Sequence, residues 1–292
     1  MKYSVWIAMI ASCWAGTANA QSWGVATHAQ TTPLCCAELP GVVDTTQAYL
    51  PIARSTSRVT YKSKGFGIPN DPTGSAFASA ALARGTLAAS AASSDYVEST
   101  GGAALLDRLQ FKIEAAPETS TTVRMQFFYH GVFGPLTQSG SLQSYFNVNI
   151  FQATNGPFGT TYHGSAGLGI TRSHDNSFPD WSTHGESGWK SISIERSGNT
   201  FFIDAMYDLV GPSPYVDMGV SLTALTRHES SADFSNTASI RLFLPQGVSF
   251  TSASGAFLAA SAVPEPAIWA LMIGGFGAIG LAARRRRVLA AA

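Results

Sequence analysis

Apolar and polar residues alternate with a period of two along much of the chain. In the segment DRLQFKIE, at 107–114, every second side chain from Leu109 onward is apolar and the intervening ones are charged or amide-bearing. Such alternation is typical of a strand with one buried and one wet face, which antiparallel sheets produce. The pattern recurs at 58–64, 121–130, 145–152, 189–196, 200–209, 216–225, 239–245 and 247–253.

These segments predict an all-β domain, an antiparallel β-sandwich or jelly-roll-like fold of about eight to ten strands. The turn residues Ser197, Gly198 and Asn199 separate two of the segments and predict a hairpin. The alanine-rich stretch at 75–93 has mixed propensity. Because glycine, serine and threonine interrupt its alanines, we interpret it as strand.

The first 20 residues have the organisation of a signal peptide. Lys2 precedes a short apolar run, and the small residues Ala18 and Ala20 form an A-x-A cleavage site. We therefore expect export, with signal peptidase cutting after Ala20. In the alternative interpretation, the sequence IASC resembles a lipobox, and Cys13 would be lipidated instead of removed.

The segment 267–283, near the C-terminus, is uncharged and apolar. A helix of this length would span about 25 Å, close to the thickness of a bilayer core. Trp269 lies at one end, and the cluster of Arg284, Arg285, Arg286 and Arg287 follows the other. Because basic residues stay on the cytoplasmic side, the pattern predicts a transmembrane helix with the large domain outside the inner membrane.

The order of features in this tail resembles a known sorting signal. Pro264, Glu265 and Pro266 precede Trp269 and Ala270, and the apolar segment and the basic cluster follow. This resembles the PEP-CTERM sorting signal of the PEPxxWA type over residues 263–287. The resemblance implies that an exosortase-type membrane protease recognises the Pro-Glu-Pro element and removes the tail. It also implies association with exopolysaccharide and biofilm. The same tail is also classified as an ice-binding protein C-terminal domain, but by itself it implies no ice binding.

The remaining segment, 21–262, is the predicted exported domain. The chain has 18 basic and 18 acidic residues in 292. Setting aside Lys2 and the four tail arginines leaves 13 basic residues, and setting aside Glu265 leaves 17 acidic ones, so the domain carries a charge of about −4. An acidic domain without a basic stripe argues against nucleic acid as a partner.

The densest polar and aromatic stretch is TRSHDNSFPDWSTHGESGW, at 171–189. Asp175, Asn176 and Asp180 are of the type that supplies oxygen ligands to Ca²⁺. Trp181 is of the type that packs against a sugar ring. The alternative is a polar loop joining two strands, without a ligand. The spacing fits neither an EF-hand nor a paired-histidine zinc motif, so we expect no resident metal and no cofactor.

Signatures of catalysis are weak. The sequence HGSAG, at 163–167, resembles a nucleophile elbow, but the first position lacks the glycine that lets Ser165 occupy a tight turn. We interpret Asp204 and Asp208 as solvent-facing residues of a strand. The formal G-x-G-x-x-G match at 275–280 lies inside the apolar tail and has no strand before it. We therefore expect no enzyme activity.

The hypothesis that follows is an exported cell-envelope protein, non-catalytic and associated with exopolysaccharide. Before processing it would be anchored in the inner membrane, and after processing it would be at the cell surface or extracellular. The alternative is a protein that binds or hydrolyses glycans through 171–189. A third class, an adhesive or ice-binding module, predicts regular Thr-x-Thr arrays, and the sequence has none. Cys35 and Cys36 are adjacent, and the sequence is compatible with three states: a strained vicinal disulfide, a disulfide between chains, or free thiols.

Overall fold

The structure, a computed structural model, describes residues 24–34, 42–48, 54–62, 72–114, 120–134, 141–156, 159–175, 178–211 and 213–258. These residues form sixteen β-strands and one 3₁₀ helix, Leu82–Arg84. The strands are β1 (Gly24–Pro33), β2 (Val42–Ala48), β3 (Arg54–Lys62), β4 (Thr73–Ala81), β5 (Thr86–Ser93), β6 (Val97–Ile113), β7 (Thr121–His130), β8 (Val132–Phe133), β9 (Ser141–Gly156), β10 (Gly159–Asp175), β11 (Phe178–Ser187), β12 (Ser191–Ser197), β13 (Thr200–Leu209), β14 (Tyr215–Arg227), β15 (Ser230–Phe243) and β16 (Val248–Ser252).

The prediction of an antiparallel all-β domain is confirmed, since each alternating segment contains a strand. The predicted hairpin is β12 and β13, in which Ser197 lies opposite Thr200 across a two-residue turn. The alanine-rich stretch is the hairpin of β4 and β5, as its interpretation as strand required. The count of about eight to ten strands was too low, because β1, β2, β10 and β11 are rich in small and polar residues and show no clear alternation.

Two sheets of eight strands pack face to face. The first has the order β11-β10-β9-β14-β6-β1-β2, and β16 also pairs with β6. The second has the order β12-β13-β7-β15-β5-β4-β3, and β8 also pairs with β15. All pairings among the described strands are antiparallel. One hydrophobic core takes side chains from the inner faces of both sheets, which makes the domain a β-sandwich.

The core is thickest where β7 and β13 face β9. The ring of Tyr129 stacks on Phe146 and on Phe234, with centroid distances of 5.4 Å and 5.2 Å. Phe201 packs against the same tyrosine at 5.5 Å. All four side chains are fully buried. Burial of each large apolar side chain contributes roughly 1.5–3 kcal/mol, so this aromatic cluster is a major source of stability.

The core is thinnest where β4 and β5 face β6. Ala78 and Ala89 are fully buried here, and no large side chain separates the sheets. A Cβ atom on Gly101 would lie 2.3 Å from the carbonyl oxygen of Phe77 and 2.6 Å from that of Ser90. The backbones of the two sheets therefore approach too closely for any side chain at position 101. The alanine-rich sequence of β4 and β5 permits this close approach.

The substitution Gly101→Ala tests the thin region. We expect it to destabilise the domain by about 1–3 kcal/mol, because backbone carbonyls in two paired strands cannot move aside as a flexible side chain would. Urea unfolding followed by fluorescence measures the change. The control Ala88→Ser lies on the outer side of β5 and should shift stability by no more than about 0.5 kcal/mol. An unchanged unfolding midpoint for Gly101→Ala would contradict the close approach.

Candidate functional site

A buried carboxylate fastens the last described strand to β6. Asp107 is 1% exposed. It accepts hydrogen bonds from the hydroxyl of Ser252 at 2.7 Å, and from the hydroxyl and backbone N–H of Ser254 at 2.6 Å and 3.1 Å. The backbone N–H of Arg108 adds a fourth at 2.8 Å. Because an unpaired buried carboxylate is costly, these four bonds make the carboxylate and the two serines one unit. We call Asp107 together with Ser252–Leu258 the C-terminal latch.

Two apolar residues complete the latch. Phe257 is buried in the main core, where its ring contacts that of Phe250 at a centroid distance of 6.4 Å. The backbone N–H of Leu258 donates to the carbonyl of Leu82 at 3.2 Å. The side chain of Leu258 occupies the space above Gly85, where a Cβ atom would lie 2.7 Å from its Cδ2. The chain is therefore fixed to both sheets as far as residue 258.

The latch and the tip of the polar stretch lie at opposite ends of the first sheet. The latch lies beside Arg108, because the backbone N–H of Ala253 in the latch donates to the carbonyl of Arg108 at 2.8 Å. His174 lies opposite Leu142, Leu142 lies opposite Thr226, and Thr226 lies opposite Ser99. His174 is therefore at the same level along the strands as Ser99 of β6. Nine residues of extended strand separate positions 99 and 108, about 30 Å. The tip of the polar stretch therefore points away from the place where the chain leaves the domain.

The polar stretch is a β-hairpin, not the polar loop of the alternative interpretation. β10 continues to Asp175 and β11 begins at Phe178, and these two residues lie opposite each other. Ile170 and Thr171 have high strand propensity and continue the pairing toward the tip. Polar composition does not indicate a loop here, because a hairpin at the edge of a sheet tolerates polar side chains.

Of the candidate ligand residues, three lie in described backbone. Asp175 ends β10, and Asp180 lies in β11 opposite Ser173. Trp181 is the next residue of β11. Asn176 lies outside the described residues. The hairpin therefore brings Asp175 and Asp180, five positions apart in sequence, to the same tip.

The HGSAG sequence is part of a strand. Ser165 lies in β10 opposite Phe151. A nucleophile elbow requires a sharp turn from strand to helix, and extended strand backbone does not provide one. The geometry therefore agrees with the sequence argument against Ser165 as a nucleophile.

Asp204 and Asp208 face solvent, as expected, on the outer side of β13. Each side chain is about one-third exposed and makes an ion pair. Asp204 pairs with Arg124, and Asp208 pairs with Lys190 at 3.0 Å. Hydrogen bonds from Arg124 lower the pKa of Asp204. Within the part of the chain that the structure describes, no three His, Cys, Asp or Glu side chains are grouped so that they could hold a metal ion.

Several predicted residues lie outside the described residues. They are Ala18, Ala20, Pro264, Glu265, Pro266, Trp269, Ala270, Arg284, Arg285, Arg286 and Arg287. The predicted signal peptide, the predicted helix at 267–283 and the three cysteines, Cys13, Cys35 and Cys36, also lie outside them. Among the residues that are described, no helix is both long and apolar enough to cross a membrane.

Comparison with known proteins bears on the tail. A family model described as the PEP-CTERM protein-sorting motif matches residues 262–287. The chain carries a PEP-CTERM sorting motif. PEP-CTERM signals are processed by exosortase, a membrane protein, and the motif therefore indicates export and sorting to the cell surface. A search of curated proteins finds no match to this chain.

The latch places the folded domain next to the PEP-CTERM motif. The match begins four residues after Leu258, and Pro264 follows that leucine by six. Six residues span at most about 21 Å when fully extended. The Pro-Glu-Pro element therefore stays within that distance of the latch, so the protease that processes the motif works close to the folded domain.

Sequence reasoning did not single out Asp107. The sequence does contain an indication that Asp107 is buried. Position 107 is an even number of residues from Leu109, Phe111 and Ile113, so its side chain lies on the same, buried face of β6. An acidic residue at a buried position requires hydrogen-bonding partners. The serines that provide them lie about 145 residues further along the chain, and only the folded structure brings them together.

The latch predicts a stability effect of Asp107→Ala. The substitution removes the carboxylate that accepts from two serine hydroxyls and two backbone N–H groups, so we expect a loss of about 2–4 kcal/mol. Urea unfolding measures the loss, and limited proteolysis should cut earlier near residue 258. As a control, Asp233→Ala removes an exposed carboxylate bonded only locally to Ser235 and should change little. Equal stabilities of the two variants would contradict the latch.

Proposed function

We propose that this is a non-catalytic surface protein that binds exopolysaccharide of the biofilm matrix after its PEP-CTERM motif has delivered it. A signal peptide exports the chain, and the apolar segment 267–283 holds it in the inner membrane with the arginines on the cytoplasmic side. Exosortase then cuts at the Pro-Glu-Pro element and releases the β-sandwich to the surface. The match of the sorting motif at 262–287 carries this proposal.

The geometry of the domain supports a binding role. The hairpin tip that contains Asp175 and Asp180 lies about 30 Å along the strands from the latch. While the tail is in the membrane, the latch end lies close to the lipid, and the hairpin end is directed outward. Carboxylates and an aromatic residue are of the types that bind sugar hydroxyls and ring faces.

A second candidate is hydrolysis of a glycan by the same hairpin. The observation that favours it is the placement of Asp175 and Asp180 at one tip, since glycoside hydrolysis uses a pair of carboxyl groups. In that case Asp175→Asn or Asp180→Asn would abolish the release of reducing sugar from the polymer. Binding of the polymer without any release of sugar supports the non-catalytic role.

Replacement of Pro264, Glu265 and Pro266 by alanine tests the sorting step. Without the two prolines the segment loses its extended backbone, which a protease needs for access. We expect a larger protein that stays in the inner-membrane fraction. Immunoblots of fractionated cells measure size and location, and cells that lack the exosortase should show the same product. Ser261→Ala, outside the matched residues, serves as the control. Normal size and location of the triple variant would refute processing at this element.

Trp181→Ala tests the hairpin as the binding element. We expect the soluble domain, residues 21–262, to be retained on a column of immobilised exopolysaccharide and the variant to elute early. Circular dichroism and the unfolding midpoint check that the variant is folded. The control Tyr162→Ala removes an exposed aromatic residue from the other end of β10, where that strand pairs with β9. Unchanged retention of Trp181→Ala would contradict the assignment of the binding site to the hairpin.

A further inference from the structure

The outer side of the second sheet has exposed apolar side chains in the rows on either side of a polar row, and one of these two rows also contains Arg124. Strand register places Phe202 opposite Phe128, Asp204 opposite Gln126, and Met206 opposite Arg124. Successive rows on one side of a strand are about 6.7 Å apart. These six residues are called the β7–β13 face below. β15 borders the face, with Arg241 opposite Gln126 and Phe243 opposite Arg124.

The apolar rows are unusually open to solvent. Phe202 is 50% exposed, Phe243 is 43% exposed and Met206 is 40% exposed. Phe128 packs edge-to-face against Phe202, with a centroid distance of 5.1 Å, so the two rings support each other. Exposed apolar side chains that are grouped on one face mark interaction surfaces, unlike single scattered ones.

The polar row is held rigidly. The Nε of Arg124 donates to both carboxylate oxygens of Asp204, at 2.8 Å and 3.0 Å, and the guanidinium makes a further bond to the same group. Gln126 donates to Asp204 at 3.3 Å. The guanidinium of Arg124 also lies 5.6 Å from the ring centroid of Phe243. Polar groups that are ordered before binding lose less side-chain entropy when a ligand arrives.

Charge around the β7–β13 face is balanced. Three cations and three anions lie on the face and its borders: Arg124, Lys190, Arg241, Asp204, Asp208 and Glu195. Two of the cations make ion pairs with two of the anions. The face therefore has no net charge, and it offers neither a basic surface for a polyanion nor an acidic one for a polycation.

We infer that the β7–β13 face binds a neutral polysaccharide chain. A sugar ring has apolar C–H surfaces, which match the phenylalanine and methionine side chains of the face, and hydroxyl edges, which match its carboxylate, amide and guanidinium groups. A protein partner is less suited, since a stable protein interface buries about 800 Å² on each side with an apolar centre, whereas the centre of this face is ionic. The inference rests on the proposed function, retention by matrix polysaccharide, and assigns it a second contact surface.

The test is affinity electrophoresis of the soluble domain in gels that contain one polymer each. The neutral polymers are hydroxyethyl cellulose, galactomannan, dextran and xylan, together with purified exopolysaccharide of the producing cells, and alginate is the anionic comparison. We expect retardation by at least one neutral polymer and none by alginate. The double variant Phe202→Ala with Met206→Ala should bind roughly tenfold more weakly, because it removes both exposed apolar contacts.

Protonation provides a second readout. Hydrogen bonds from Arg124 lower the pKa of Asp204, so the ion pair is fully formed above the ordinary carboxyl pKa and is lost only as pH falls through the lowered value. We expect the same retardation at about pH 5 and about pH 8, where the carboxylate stays ionised.

The outcomes separate this inference from the proposed function. Loss of retardation in Trp181→Ala but not in the double variant would overturn the assignment of binding to the β7–β13 face and leave the proposed function intact. Absence of retardation of the unaltered domain by every polymer would overturn both. An equal loss in Tyr162→Ala, which removes an aromatic side chain 78% exposed on the other sheet, would indicate non-specific adsorption and would also overturn the assignment.

Discussion

Each sheet must bury one face against the other, and the rest of the structure depends on this constraint. The distance between the sheets is set locally by side-chain size. It is large where Tyr129 stacks between Phe146 and Phe234, and small where Gly101 lies against backbone carbonyls of the opposite sheet. Since packing density is nearly constant in protein interiors, neither region tolerates the residues of the other. The inner faces are thus committed to packing, and ligand binding is left to the outer faces and the strand ends.

The C-terminal latch connects this packing to sorting. Its hydrogen bonds join Asp107 of one sheet to a segment that also contacts Leu82, in the 3₁₀ helix that connects β4 and β5 of the other sheet. The segment that carries the PEP-CTERM motif therefore leaves from one defined position on the folded domain. The short distance in sequence from Leu258 to the motif keeps the domain nearer to the place of processing than a long linker would.

The hairpin and the β7–β13 face differ in how they suit a glycan. The hairpin lies at the edge of the first sheet, and its tip brings Asp175 and Asp180 to the same end of two paired strands. The face is part of a central sheet region, so its strands are held on both sides and its polar groups are ordered by bonds such as that between Arg124 and Asp204. Under the proposed function, simultaneous contacts of one polymer with both surfaces would strengthen retention beyond either alone.

The sequence by itself determined the strand character, the antiparallel class and the sorting tail. Period-2 alternation specifies which side of each strand is buried, and the Pro-Glu-Pro element with its apolar and basic continuation is a local pattern. Only the tertiary structure decided that the polar stretch is a hairpin, that Asp107 meets Ser252 and Ser254, and that Phe202 and Phe128 share a row. Those features depend on strand order and register, which bring together residues distant in sequence, and alternation within one strand contains no information about its neighbours.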